Sequence, residues 1–157
     1  MSTHSTRILF ATGLITAALA SGAIGQQDQK LGTVTFPTSC DPNVQAEFDR
    51  GVAMLHSYWF LIARRKFEAI VQQDPNCAMA YWGVAMDLLG NTLATTPTRA
   101  EAQAAWDALE KARAVGPKTQ RERDWIEALS AYFRDCDKVP VDARLAAYNA
   151  RALCAGR

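Results

Sequence analysis

Between Phe48 and Met86 the apolar positions recur at helical spacing, and no stretch alternates with a period of two. Phe48, Gly51, Val52 and Leu55 define one face of a predicted helix from about Val44 to Ser57. Asp41 or Asn43 can cap its start. Tyr58-Trp59-Phe60 marks a tight corner. A second helix runs from there to about Gln73, with Ile62, Ala63, Phe67, Ile70 and Val71 expected to face inward. Asp74-Pro75 ends it, because proline disfavours helix in the residue before it. Asn76 can cap a third helix, about Cys77 to Leu89. The first and third helices are in phase: Glu47 and Tyr81, Gly51 and Ala85, and Met54 and Leu88 are each 34 residues apart. A helix pair repeating at that length is the unit of a helical solenoid.

The period then breaks. Residues 90–98, GNTLATTPT, form a turn-rich insertion. Thr98 and Glu101 have the spacing of a capping box for a fourth helix, which runs to about Val115 with Ala102, Trp106 and Leu109 on one face. Gly116-Pro117 stops it. A fifth helix, about Lys118 to Phe133, carries Trp125, Ala128, Leu129 and Tyr132. A sixth, from about Val141, carries Ala143, Ala147 and Ala150. The expected fold is therefore all-α: about three antiparallel hairpins, each burying its remaining apolar face on the next, with no β-sheet. The small residues Ala63 and Ala102 mark close helix approaches. Phe67 and Trp106, one turn later, fill the space between hairpins.

The N-terminus has a different layout. Arg7 precedes an uncharged apolar run, Ile8 to Ala20, followed by small residues. That is the form of a secretory signal peptide. The run is shorter than the roughly 20 residues a membrane-spanning helix needs. Membrane contact is expected only if this segment stays uncleaved. The expected division is a signal peptide over residues 1–25, an extended polar lead over 26–43, and a helical domain over 44–155. The expected location is periplasmic or secreted.

Charge narrows the partners. Lysine and arginine number 17 and aspartate and glutamate 16. Because Arg7 lies in the leader, the remainder balances to zero, without the basic excess of a nucleic-acid binder. The local run Arg64-Arg65-Lys66 points to different sides of its helix and reads as a solvated face.

Export makes the cysteines candidates for pairing. Four cysteines allow three full pairings. Cys40 lies just before the first helix and Cys77 just before the third, so a Cys40–Cys77 bridge is geometrically plausible. Cys136 and Cys154 sit near opposite ends of a final helix about 20 Å long, too far apart for a direct bridge.

In this pattern the chain resembles the tetratricopeptide repeats (TPR). Gly51, Ala63, Phe67 and Pro75 stand in the relative spacing of that motif. Tyr81, Ala85 and Leu88 fit a second copy, and Trp125, Leu129 and Tyr132 the start of a third. The strings FDRGVAMLHSYWF and DPNCAMAYWGVAM are similar to those of exported bacterial members with a cysteine before each helix. The chain ends in ALCAGR where such proteins continue into further repeats, so a short or truncated member is expected.

The resemblance implies a ligand on the concave surface formed by the first helix of each pair. Carried over, that surface is Phe48, Val52, Leu55 and His56 on one helix, and Met79, Trp82, Met86 and Leu89 on the next. An apolar, aromatic set of this kind suits an extended peptide or an amphipathic helix. The same residues could instead pack against the lead, residues 31–43, or against further repeats. His56 beside Ser57 and Tyr58 reads as a hydrogen-bonded corner residue. With Cys40 or Cys77 it could make a nucleophile pair, but no third orienting group or oxyanion site accompanies it. Paired metal-ligand spacings, a haem attachment motif and a phosphate loop are absent from the sequence. The expectation is thus an exported, non-catalytic module that binds a protein or peptide, with no cofactor and no metal. One alternative is a redox or metal-handling accessory protein using Cys40, Cys77 and His56. Another is a fragment without independent function.

Overall fold

The computed structural model describes residues 31–155. The signal peptide expected over residues 1–25, the start of the lead at 26–30 and the side chain of Cys154 lie outside the described residues. Six helices follow in order: α1 (Pro42–His56), α2 (Phe60–Gln73), α3 (Ala78–Leu89), α4 (Arg99–Val115), α5 (Gln120–Phe133) and α6 (Val141–Ala155). No strand occurs among the described residues. Each helix packs on the next, and α3 also touches both α1 and α5.

Local chemistry sets the helix ends. Of the two candidate caps for α1, Asp41 serves: its Oδ1 accepts from the Asn43 N–H at 2.8 Å. The helix therefore starts at Pro42, whose missing N–H costs nothing in a first turn. At α3 the expectation of an Asn76 cap is corrected. Cys77 is the N-cap and makes no side-chain cap bond. The Asp74 carboxylate instead accepts from the backbone N–H groups of Asn76 at 3.1 Å and Asp41 at 2.8 Å. One acid thereby ties the start of α1 to the start of α3. Thr98 and Glu101 form the expected capping box, and Thr119 with Glu122 forms a second one on α5.

Phe67 is the wedge of the first three helices. It is fully buried. A Cβ placed on Gly51 of α1 would lie 2.8 Å from its ring, and one on Gly83 of α3 would lie 2.5 Å away. The two glycines are what let α1 and α3 close on the aromatic ring of α2. Ala63 and Ile70 share that face of α2 and are buried. Ile62 is not: it is 51% exposed, against the inward orientation expected. It sits about 100° round the helix from Ala63, beyond the strip that α1 and α3 cover.

A similar correction applies to α6. Ala143 and Ala150 are exposed, and the face against α5 is made by Arg144, Leu145 and Tyr148. The Arg144 guanidinium lies 4.6 Å from the Tyr132 ring centroid, and its Nε donates to the Val139 carbonyl at 3.1 Å. An arginine stem with its head over an aromatic ring replaces the alanine face. Within the basic run, Lys66 pairs with Glu47, Arg64 lies near Asp87, and Arg65 is exposed.

Candidate functional site

The end of the lead packs against α1, α3 and α5. Leu31, Val34 and Phe36 lie against the core, and residues 31–38 have no helix or strand. Phe36 is the anchor. Its ring stacks on Trp82 at 5.6 Å and meets Phe48 at 5.7 Å and Trp125 at 6.0 Å. The Arg121 guanidinium covers the ring at 4.3 Å.

The lead's backbone is held mainly by side chains. From α1, Asp49 Oδ1 accepts the Phe36 N–H at 3.0 Å. Gln45 donates to the Phe36 carbonyl at 2.9 Å and accepts from the Thr38 N–H at 3.0 Å. From the α5 side, Arg121 donates to the Pro37 carbonyl and Lys118 to the Ser39 carbonyl, each at 3.0 Å. Glu122 accepts from the Ser39 N–H and hydroxyl, both at 2.6 Å. Six backbone groups of four consecutive residues are thus held, five by α1 and α5 and one by Lys118 just before α5. Burial alone would raise the Glu122 pKa. The bonds from Ser39 and Thr119 outweigh it and hold the carboxyl below its ordinary range.

The sequence-predicted groove residues divide. Phe48, Met79 and Leu89 are enclosed in the core. Val52, Leu55, His56, Trp82 and Met86 line a hollow of about 380 Å³ beside Phe36 and Trp125. Within that set Leu55 and Met86 are half-buried and His56 is exposed. The possibility that the lead covers part of this surface is realised at Phe36. Trp125 and Phe36 are among the residues that sequence reasoning left out of the site, with Tyr58, Phe60 and Tyr148. Trp125 sits at the helix position corresponding to the start of a third repeat, which was the available signal.

Cys40 and Cys77 form the disulfide, with an S–S distance of 2.01 Å and Cα atoms 4.6 Å apart. The bridge fixes the end of the lead to the start of α3. Cys136 is free. The carboxylate of Asp74 lies within 4.8 Å of both bridged sulfurs, but sulfur held in a disulfide is not a thiolate ligand. His56 is not brought to the cysteines. It ends α1 while Cys40 precedes its start, a separation of roughly 20 Å along the helix.

A second hollow, about 590 Å³, lies beneath residues 90–98 and shares Phe60, Gly90 and Asn91 with the first. Its wall includes Arg64, Asp87 and Glu101. Asp87 is the one charged residue of α3, AMAYWGVAMDLL, and that solitary acid in an apolar helix was its sequence signal.

No protein-family model, no curated protein and no solved structure matches this chain.

Proposed function

We propose that this chain is an exported, non-catalytic TPR-like module that binds a protein through an extended peptide segment. The ligand lies in the groove of α1, α3 and α5, beside the lead. The single observation carrying this reading is the lead itself, an extended segment held through its own backbone groups. Recognition through N–H and C=O groups depends little on side-chain identity, so the same surface chemistry suits other extended chains. The contacts of α3 with α1 and α5 agree with hairpins stacked as a solenoid whose first helices line one face. The Cys40–Cys77 bridge agrees with an oxidising compartment. Neither a charge excess nor a nucleophile with its base argues for nucleic acid or catalysis.

The open end of the groove is where a partner gains most. Leu55, His56 and Met86 line it without being fully enclosed, and an apolar side chain placed there would extend the aromatic row that begins at Phe36. Trp82 is a poor probe of binding because its burial and its contact with Phe36 make it structural. Selection from a random displayed peptide library tests the reading. Peptides with a large apolar residue in an extended context should be enriched on the wild-type chain and lost on Leu55→Glu and Met86→Glu variants of unchanged helicity. Absence of enrichment, or enrichment indifferent to both substitutions, would contradict it.

A further inference from the structure

The geometry points to a second binding site, apart from Phe36 and the lead: the hollow beneath residues 90–98 takes a small organic cation, a primary amine on a short apolar body, with its ammonium on Asp87.

The argument begins with an unmet hydrogen-bonding need. The Asp87 side chain is 3% exposed. Its Oδ1 is buried without a hydrogen-bond partner. Its Oδ2 has Arg64 Nε at 3.7 Å, beyond hydrogen-bond length. Buried carboxylates in folded proteins are paired and hydrogen-bonded, because an unmet one carries the full desolvation penalty. Asp87 has a loose ion pair and no donor, and it lines a hollow of about 590 Å³.

The walls specify what can fill it. Phe60, Leu61 and Leu88 supply apolar surface, and Leu61 is 52% exposed at the edge. Asp87 and Glu101 against Arg64 leave the wall one negative charge in excess. A monovalent cation neutralises it, and an ammonium brings three donors to a carboxylate that has none. Residues 90–98 contain no charged side chain to compete. No charged group of α1 or α5 lines the hollow.

Protonation gives the site a pH dependence. Burial pushes the Asp87 pKa up to about 7, with Arg64 opposing the rise and Glu68 adding to it. Glu101, the other acid of the wall, has its pKa lowered by the bonds from Thr98 that make its capping box. Ammonium binding requires ionised Asp87, so affinity rises with pH through neutrality.

The test is titration of the purified chain with benzylamine, using benzyl alcohol as the neutral counterpart, at about pH 8 and about pH 6, where the amine stays protonated and Asp87 does not stay ionised. Saturable binding of one benzylamine per chain is expected at the higher pH, at least about fivefold tighter than the alcohol. It should weaken roughly tenfold at the lower pH, following the ionised fraction of Asp87. The isosteric Asp87→Asn variant should lose the preference for amine over alcohol. Equal binding of amine and alcohol, amine binding indifferent to pH, or no saturable binding at all would each overturn the proposal. The pH and neutral-ligand comparisons use the wild-type chain, so they decide the matter even if the variant folds poorly.

Discussion

Glu122 and Asp87 are both buried carboxylates, and the molecule treats them oppositely. Glu122 accepts from Ser39 and Thr119 at the start of α5, where the helix dipole also favours an anion. Its pKa falls. Asp87 receives no hydrogen bond, and its pKa rises to about 7. Burial is common to both; the difference is the supply of donors. On the groove side a segment of the molecule's own chain is fastened in by hydrogen bonds, with a smaller hollow left beside it. The side beneath residues 90–98 is incomplete, with a hollow and an acid lacking a partner. The first surface holds the chain's own lead through hydrogen bonds, and the second leaves an acid without a donor.

The largest expected effect comes from cutting the fastening of the lead. The Cys40–Cys77 bridge spans 37 residues, and Cys40→Ser should lower unfolding stability by roughly 4 kcal/mol through loop-closure entropy. Urea unfolding measures this, and a loss under about 1 kcal/mol would mean that the bridge constrains little.

Glu122→Gln comes next, at about 2 kcal/mol, since it removes charge from the bonds to Ser39 and Thr119. Because the folded pKa lies below the ordinary 4.5, this contribution is present above pH 4.5 and is lost as pH falls through the folded value. The wild-type advantage over the variant should therefore shrink on acidification from about pH 5 downward. A constant difference would place the energy elsewhere.

Asp87→Asn carries the opposite sign. With the folded pKa raised from 3.8 to about 7, stability from this group is full below 3.8 and is lost as pH rises through 7. The variant should be the more stable chain by about 1–2 kcal/mol near pH 8 and equal to the wild type at the acid end. Thermal unfolding across pH checks it, and a destabilised variant at pH 8 would indicate a partner for Asp87 within the fold.

His56→Ala should change stability by less than about 0.5 kcal/mol, because the residue is exposed. It should still weaken binding of library-selected peptides, and unaltered affinity would remove His56 from the groove.

Much of the frame was legible because helix starts and stops are local. Thr98 with Glu101, Asp74-Pro75 and Gly116 acted where their spacing placed them. Ile62 and Arg144 were not legible, for a shared reason. Periodicity shows which residues share a face, but how far a neighbour covers that face is a tertiary matter. The covering strip stops short of Ile62, while Arg144 is enclosed because its head finds Tyr132 and the Val139 carbonyl. The disulfide was legible from the in-phase starts of two helices. The role of Phe36 was not, because an extended lead has no period, and its fixing depends on Gln45, Asp49, Arg121 and Glu122 converging from two helices. Asp87 was passed over, though it is the one charged residue of α3, and only the structure shows that its Oδ1 lacks a donor.

The central claim is that the groove of α1, α3 and α5 is a site for an extended peptide and that residues 31–39 occupy it. Titration of the labelled synthetic peptide LGTVTFPTS into a folded Phe36→Ala, Cys40→Ser variant tests this most directly, with the wild-type chain alongside. Saturable binding to the variant, competed away by the unlabelled peptide and absent from the wild type, is the predicted result. A helical, cooperatively folded variant that fails to bind the peptide, or a wild-type chain that binds it equally well, would contradict the claim.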